Sequence, residues 1–272
     1  MKSITFGQWL ETWLKIYKEP NLTEESVYRI RSAIKKHLPE SVSVINLSAI
    51  RALQLDQVLS ECPYPRTRKY LYFIFCNSLK AAWRKDLIDE DVSSKIEPVR
   101  YRKTTSNALT LTEQETFLRS IQESKYRNVF EFMLHTGCRR TETLSLIWDD
   151  VDYNEKLIYI HGTKTSSAER IVFLTPAIMK ILKRQRKETG NCERVFPYNK
   201  TNITHAFKRY CPNHHLHELR HTFVTRCAES GIDPKVTQKL AGHSDIHTTL
   251  QIYAHVVTDY QRKEFKKFNI KK

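Results

Sequence analysis

The sequence predicts a mainly α-helical protein with a small β-sheet or hairpin, arranged as an N-terminal helical bundle followed by an α+β domain. Three observations predict it. Apolar residues recur at the helical period from residue 5 to residue 87. After Trp148 the period changes to two, in the runs KLIYIHG and ERIVFL. Between the apolar-patterned regions lies EPVRYRKTTSNA, residues 97–108, whose proline, basic and small polar residues read as an interdomain linker. The expected division is a bundle over 1–96, the linker, and a second domain over 109–272.

The first helix is expected over residues 5–18. Thr5 can cap it with Gln8 three residues on, and Phe6, Trp9, Leu10, Trp13 and Tyr17 recur at helical spacing until Pro20 ends it. A second runs from Glu24 to Leu38, with Val27, Ile30, Ile34 and Leu38 as its stripe and Arg29, Arg31, Lys35 and Lys36 largely off it. Pro39 stops that one. Residues 48–61 predict a third helix through Ile50, Leu53 and Val58, and Thr67 to Leu87 a fourth that buries Leu71, Ile74, Phe75, Leu79 and Trp83. Four helices with short connections make a small bundle. Aromatic stripes at this spacing are core packing rather than base-stacking platforms.

In the second domain Thr112 and Glu115 of LTEQE match a capping box. Helices through Phe117–Ile121 and Arg127–His135 lead to Gly137, a helix-ending or turn residue, and a helix carrying Arg139, Glu142 and Leu146 follows. Glu142, three residues beyond Arg139, shares its face and can hold the arginine in place. Lys164 falls in the connection between the two strands. Pro176–Arg186 and Thr201–Arg209 read as helices packed on one side, with basic residues such as Lys180, Lys183 and Arg184 turned toward phosphates.

Composition narrows the function classes. The 272 residues carry 45 Lys and Arg against 30 Asp and Glu, a formal charge of +15, which favours a polyanionic partner such as nucleic acid. Six cysteines, at 62, 76, 138, 192, 211 and 227, contain no C-x-x-C pair and read as the reduced thiols of a cytoplasmic protein. Nowhere are there 18 consecutive apolar residues, and the N-terminus lacks a signal-peptide pattern, so no membrane partner is expected. Six glycines, at 7, 137, 162, 190, 231 and 242, leave no place for a G-x-x-x-x-G-K phosphate loop.

The stretch from His217 to His255 concentrates the chemistry: it holds His217, Arg220, His221, His243, Tyr253 and His255 in 39 residues, with Arg139 upstream in HTGCRRTETLSL. A phosphodiester under attack spreads negative charge over its non-bridging oxygens, and guanidinium forks can meet that charge without a metal. Arg139 and Arg220 are the candidates. Tyrosine can serve as nucleophile, but with a pKa of about 10 only roughly one phenol in a thousand is ionised at neutral pH, so Tyr253 would depend on nearby cations and a proton acceptor. His217, His243 or a lysine could supply general acid or base chemistry.

Thr136-Gly-Cys-Arg-Arg-Thr-Glu142, His217-Glu-Leu-Arg220-His221, Leu240-Ala-Gly-His243 and Tyr253-Ala-His255 together resemble the successive boxes of the tyrosine recombinase, or phage integrase, family. The resemblance covers about residues 108–255, and four boxes in order are far more specific than any one of them. It implies that the first domain is a core-binding domain that closes over DNA and the second a tyrosine recombinase catalytic domain. It further implies that Arg139, Arg220 and His243 bind the scissile phosphate, that His217 acts in proton transfer, and that Tyr253 attacks to leave a 3′-phosphotyrosyl enzyme and a free 5′-hydroxyl. Lys164 matches the family's general-acid lysine, and Glu142 and His221 stand beside the reacting groups. Tyr253 follows His243 by ten residues, one more than in many chromosome-dimer resolvases, a spacing like that of integrases of phages and conjugative transposons.

The implied function is site-specific recombination through a Holliday junction, for integration or excision of a mobile element, with no cofactor and no metal. The implied partners are double-stranded DNA, a homotetramer on DNA assembled through the basic C-terminal tail, and an excisionase or a host DNA-bending protein. Many phage integrases carry an arm-binding domain ahead of the bundle. This sequence begins at the bundle, which implies simple sites or lost bivalent binding. Arg66, Arg68 and Lys69, interleaved with Tyr64, Tyr70 and Tyr72, and Arg100, Arg102 and Lys103 in the linker are candidates for tracking a phosphate backbone, and read equally as solvated faces.

Several rival readings exist. A type IB topoisomerase-like nicking and rejoining enzyme shares the chemistry, and a non-catalytic DNA-binding regulator would share the fold but predicts a lost tyrosine or arginine. Non-specific binding predicts steep salt dependence without cleavage. Asp149, Asp150 and Asp152 offer a carboxylate cluster for metals, and Cys211, His214, His215 and His217 a zinc-like set. Adjacent acids at a helix end are ordinarily a solvated loop, and the second set lacks a further pair at finger-like spacing.

Overall fold

Thr5 and Gln8 form the reciprocal cap that the first helix needs. The Gln8 N–H donates to the Thr5 hydroxyl at 3.3 Å, and the Thr5 N–H donates to the Gln8 side chain at 3.0 Å. The computed structural model describes residues 4–101, 107–162 and 169–265, excepting the side chains of residue 255 and residues 257–265. The chain divides into two compact units, Met1–Thr104 and Thr105–Lys272.

In the first unit α1 (Phe6–Trp13) continues through a π turn, Leu14–Lys18, and Pro20 sits in the 3-10 turn Glu19–Asn21 that ends it. Then come α2 (Glu24–His37), the single turn α3 (Glu40–Ser43), α4 (Ala52–Glu61) and α5 (Pro65–Trp83). Phe6, Trp9, Leu10 and Trp13 are buried together with Val27, Ile30, Leu55, Leu59, Leu71, Phe75 and Leu79. The aromatic stripe is therefore core. Trp9 reaches across to donate its indole N–H to the Ser78 carbonyl at 2.9 Å, which satisfies the one polar atom the ring brings inside.

Two predicted helices are shorter than their periodicity implied. Asn46 caps a 3-10 turn at Leu47–Ala49, and Ile50 and Arg51 are extended, so α4 starts at Ala52 rather than at 48. Its buried stripe is Leu55, Val58 and Leu59, while Leu53 is 68% exposed. The fourth helix stops at Trp83, where Asp86 turns the chain at φ 56, and Trp83 is 41% exposed instead of buried.

The second unit opens with α6 (Leu111–Ser120), and its capping box is Thr110 with Glu113, not Thr112 with Glu115. The start is fixed by tertiary contact: Leu109 is buried, and its N–H donates to the Thr222 hydroxyl at 2.9 Å. After α7 (Arg127–Thr136), Gly137 turns the chain at φ 64, leading to α8 (Arg140–Ser145). Arg139 and Leu146 flank α8 as caps rather than lying within it.

A three-stranded antiparallel sheet follows, with β1 (Val151–Asp152), β2 (Leu157–Ile160) and β3 (Arg170–Phe173) in that order. The two predicted strands pair with Ile158 opposite Val172 and Ile160 opposite Arg170; β1 was not anticipated. Ile158, Ile160 and Val172 face the core, while Tyr159, Ile171 and Phe173 face out. Helices α9 (Pro176–Thr189), α10 (Lys200–Tyr210), α11 (Glu218–Glu229), α12 (Pro234–Ala241) and α13 (Ile246–Phe265) complete the unit.

Phe117, Phe130 and Phe207 meet at ring-centroid distances of 5.2–5.8 Å in the centre of this core. Each such pair adds about 1 kcal/mol beyond simple burial. Arg184, expected to face phosphates, instead donates to Asn128 Oδ1 at 3.0 Å and pairs with Glu131, because α9 lies along α7. Among the described residues no helix is long and apolar enough to cross a membrane.

Candidate active site

Three arginines and one carboxylate form the floor of the site. Arg139, extended at the start of α8, donates its backbone N–H to Glu142 Oε2 at 2.8 Å, its Nη1 to Glu142 Oε1 at 2.5 Å, and its Nη2 to the Gly242 carbonyl at 2.7 Å. Glu142 is buried, and its other strong partner is Arg170 at 2.9 Å. Burial pushes the Glu142 pKa up, but the opposing pull of Arg170 and Arg139 wins and holds it below the usual carboxylate value. The carboxylate stays charged between two guanidinium groups.

Arg220, on α11, is 2% exposed. Its Nη1 donates to the Gly137 carbonyl at 2.9 Å, whereas Nη2 is buried without a hydrogen-bond partner among the described residues. Burial, then Arg139 and Arg170, lower its pKa to about 9. A buried guanidinium nitrogen left unpaired beside two like charges is expensive unless an anion completes it.

Two histidines border these arginines. His217, at the head of α11, stacks edge-on against His221 with ring centroids 5.1 Å apart at 88°. His217 keeps exposure to solvent, yet partial burial is the main cause that lowers its pKa to about 4, helped by His221, Arg220 and Arg139. His243 follows the left-handed Gly242, with Nδ1 2.8 Å from the Thr249 hydroxyl and its backbone carbonyl accepting from Gln238 Nε2 at 3.1 Å. Burial, then Arg220 and Arg139, push its pKa down to about 3. Both imidazoles are neutral at pH 7, so each can accept a proton.

Tyr253, on α13, is 8% exposed in a small cluster with Val224 and Ala241. Its phenol donates to the Ile232 carbonyl at 2.6 Å and lies 2.6 Å from the Thr237 hydroxyl. A phenol has one proton, so Thr237 must be the donor in the second contact. Burial raises the Tyr253 pKa, against the smaller lowering effect of Thr237, with Cys227 and Asp233 raising it further. The sequence led us to expect cations around this tyrosine. The structure instead docks it on neutral acceptors and donors, because the α11–α13 packing offers a polar slot beside Ile232.

Among the other candidates, Lys164, Arg102 and Lys103 lie outside the described residues. Arg66 and Arg100 are exposed, and Lys69 sits 5.8 Å from the Phe73 ring centre. Arg68 turns inward to cap α4, donating Nη2 and Nε to the Cys62 carbonyl at 2.7 and 3.1 Å. Asp149 is exposed, and the other two acids serve the backbone. Asp150 accepts from the Ile147 N–H and contacts His161, and Asp152 accepts from the N–H groups of Asn154 and Glu155. His214 is held between Glu218 at 2.7 Å and Glu113 at 3.3 Å.

Sequence reasoning missed Arg170, Thr237 and Thr249. Arg170 left a readable signal: in ERIVFL it shares the inward face with Val172, and a charge on the buried side of a strand implies a buried ion pair. The two threonines gave none.

The profile of the Phage integrase family matches residues 107–259, and that of the phage integrase N-terminal SAM-like domain matches residues 5–61. The chain belongs to the phage integrase family, the tyrosine recombinases. It is 32% identical over 172 residues to tyrosine recombinase XerA of Saccharolobus solfataricus, covering 62% of this chain and 58% of that protein. It is 30% identical to XerA of Thermococcus onnurineus, covering 68% and 71%, and 27% identical to the transposase of Tn916 from Enterococcus faecalis, covering 70% and 57%. The chain thus spans about three-fifths of the first of these relatives.

In fold it is similar to the Tn1549 transposon integrase in complex with a circular intermediate DNA, at a TM-score of 0.78 and 19% identity, over 97% of this chain and 99% of that one. A lambda integrase tetramer bound to a Holliday junction superimposes at a TM-score of 0.80 and 18% identity, over 92% and 78%.

Proposed function

We propose that this chain is a site-specific DNA recombinase that cleaves and rejoins double-stranded DNA through a 3′-phosphotyrosyl intermediate and a Holliday junction, for integration or excision of a mobile element. The observation that carries the reading is the buried Nη2 of Arg220, without a hydrogen-bond partner among the described residues, beside Arg139 and the neutral His243. That arrangement fits one phosphodiester group, whose oxygens would accept from Arg220 and Arg139 and from His243 Nε2 if the Thr249 hydroxyl donates to Nδ1.

In the proposed reaction Tyr253 leaves its Ile232 and Thr237 contacts, and its oxygen attacks phosphorus. The phenol proton passes to neutral His217. The bond from phosphorus to the 5′-oxygen breaks, and Lys164 protonates that oxygen. The guanidinium groups meet charge that grows in the transition state, which is where fixed cations accelerate a reaction. An incoming 5′-hydroxyl then reverses the steps on the partner strand. The phosphotyrosine conserves the energy of the cleaved bond, so no nucleotide is consumed. The similarity of the fold to the tetrameric lambda integrase supports assembly of four copies on the junction.

The test begins by selecting a duplex from a random pool with the Tyr253→Phe protein, which is expected to bind without cleaving. That duplex, nicked near its centre, is incubated in EDTA with wild-type and Tyr253→Phe protein and run on a denaturing gel. A covalent adduct with wild type alone is expected. An adduct retained by Tyr253→Phe, or none with wild type on a duplex it binds, would overturn the reading. Joining of two different duplexes, rather than relaxation of one, separates a recombinase from a topoisomerase-like enzyme.

A further inference from the structure

We propose that Arg170 is a positioning residue for strand cleavage, locking the turn that carries Arg139 against the loop that carries His243 through Glu142, Cys138 and Leu240. The proposal rests on the reading of Arg139, Arg220 and His243 as a phosphate site.

Arg170 is the first residue of β3, and its register opposite Ile160 turns its side chain inward, leaving that side chain 5% exposed. Its Nε donates to the Leu240 carbonyl at 2.8 Å, at the end of α12. Its Nη2 donates to Glu142 Oε2 at 2.9 Å and to Cys138 Sγ at 3.4 Å, on either side of Arg139 in sequence. One planar group therefore bridges the strand, the α7–α8 turn and the last turn of α12. A guanidinium suits this because its donors are fixed in a fork, so orienting one partner orients the others.

Gly242 completes the junction. It lies at φ +67, and a Cβ there would fall 2.9 Å from Arg170 Nη1 and 3.1 Å from Arg170 Cδ. Glycine lets the loop rest on the guanidinium, and from that position the Gly242 carbonyl accepts from Arg139 Nη2 at 2.7 Å. Arg139 is thus held twice, by Glu142 and by Gly242, and Arg170 touches both holders. His243 is the next residue along the loop.

A fold-stabilising role alone does not account for a charge here. The neighbouring inward positions of the sheet are Ile158, Ile160 and Val172, and a well-packed apolar side chain is commonly as stable as a buried ion pair, or more so. What an apolar residue cannot do is set the relative placement of two loops by directed hydrogen bonds. A reacting phosphate needs that placement, since a shift of about 1 Å in a positioning group costs on the order of 100-fold in rate.

The experiment measures single-turnover adduct formation on the selected nicked duplex at saturating DNA. It compares wild type, Arg170→Gln, Arg170→Lys, Glu142→Gln and the double variant Arg170→Gln/Glu142→Gln, with gel-shift affinity and thermal melting in parallel. We expect Arg170→Gln to slow adduct formation by about 100-fold per DNA-bound protein while DNA affinity stays near wild type. Arg170→Lys should recover part of the rate, because it keeps a charge beside Glu142 but cannot also span to the Leu240 carbonyl. The double variant should be no slower than the slower single variant, as groups acting through one another are non-additive.

A wild-type rate per bound protein in Arg170→Gln, or a double variant slowed by the product of the single effects, would overturn the proposal while leaving the phosphate site intact. Should Arg170→Gln not fold, Arg170→Lys carries the same comparison, and a wild-type rate from it overturns the proposal too. A wild-type protein that forms no adduct overturns both readings at once.

Discussion

The phenol of Tyr253 and the hydroxyl of Thr237 lie 2.6 Å apart, and that contact, together with the Ile232 carbonyl, holds the proposed nucleophile in a polar slot of its own. Attack on a phosphate requires both hydrogen bonds to break. Thr237→Val removes one of them while keeping the side chain's shape, so adduct formation on a nicked duplex should accelerate about fivefold, the equivalent of one hydrogen bond of roughly 1 kcal/mol. A rate that falls or stays unchanged in single-turnover assays would show that the docked tyrosine does not limit cleavage.

The two histidines give the fold an acid sensitivity whose sign follows from their shifts. His217 and His243 have folded pKa values of about 4 and about 3, below the ordinary 6.5. A depressed pKa contributes stability that is fully present above 6.5 and is lost as pH falls through the folded values. Between pH 6.5 and about 5 ordinary carboxylates remain ionised, so this window belongs mainly to histidine. The urea midpoint should fall across it for wild type, and His243→Gln should flatten the fall. An equal slope in both proteins would assign the acid loss to other groups.

Glu142 neutralises two guanidinium groups, one of them the buried Arg170. Glu142→Gln keeps the volume but removes the charge, leaving like charges facing each other. Losing one partner of a buried ion pair costs about 3 to 5 kcal/mol, so a clear drop in denaturant midpoint is expected, with slower adduct formation. Added sulfate should restore more stability to the variant than to wild type, because an anion can take the place of the missing carboxylate.

Gly137 serves both the backbone turn and Arg220. It lies at φ +64, its carbonyl accepts from Arg220 Nη1, and a Cβ there would fall 2.4 Å from the Phe223 ring. Gly137→Ala therefore meets strain at a left-handed φ, about 1 kcal/mol, and must also displace Phe223 on α11. We expect lower thermal stability and a fall in cleavage rate larger than the fall in DNA affinity, since Arg220 moves with the turn. Gly231, also left-handed but with open space around it, is the control: Gly231→Ala should lose stability without a comparable loss of cleavage.

The sequence by itself determined the architecture and proposed the residues of the candidate site. Helical spacing fixed α1, α2 and the buried aromatics of the first unit, because a 3.6-residue stripe has one way to bury itself. Alternation fixed β2 and β3, and the boxes around Arg139, Arg220, His243 and Tyr253 are enough to identify the family. Helix ends were less legible. Thr110 rather than Thr112 caps α6 because Leu109 is pinned by Thr222, 113 residues away, and no local pattern carries that contact.

Only the tertiary structure decided how the site is wired. Arg170, Glu142, Gly242 and Leu240 are spread over about a hundred residues and meet because β3, α8 and α12 converge on one point. It also decided the electrostatics: the pKa of Arg220 and those of the histidines depend on burial and on neighbours from other elements, not on the residue itself. The resting place of Tyr253 was settled in the same way, by a carbonyl and a hydroxyl that α13 meets only after it has packed against α11 and α12. Residue type sets what chemistry is available, and packing sets which of it is poised.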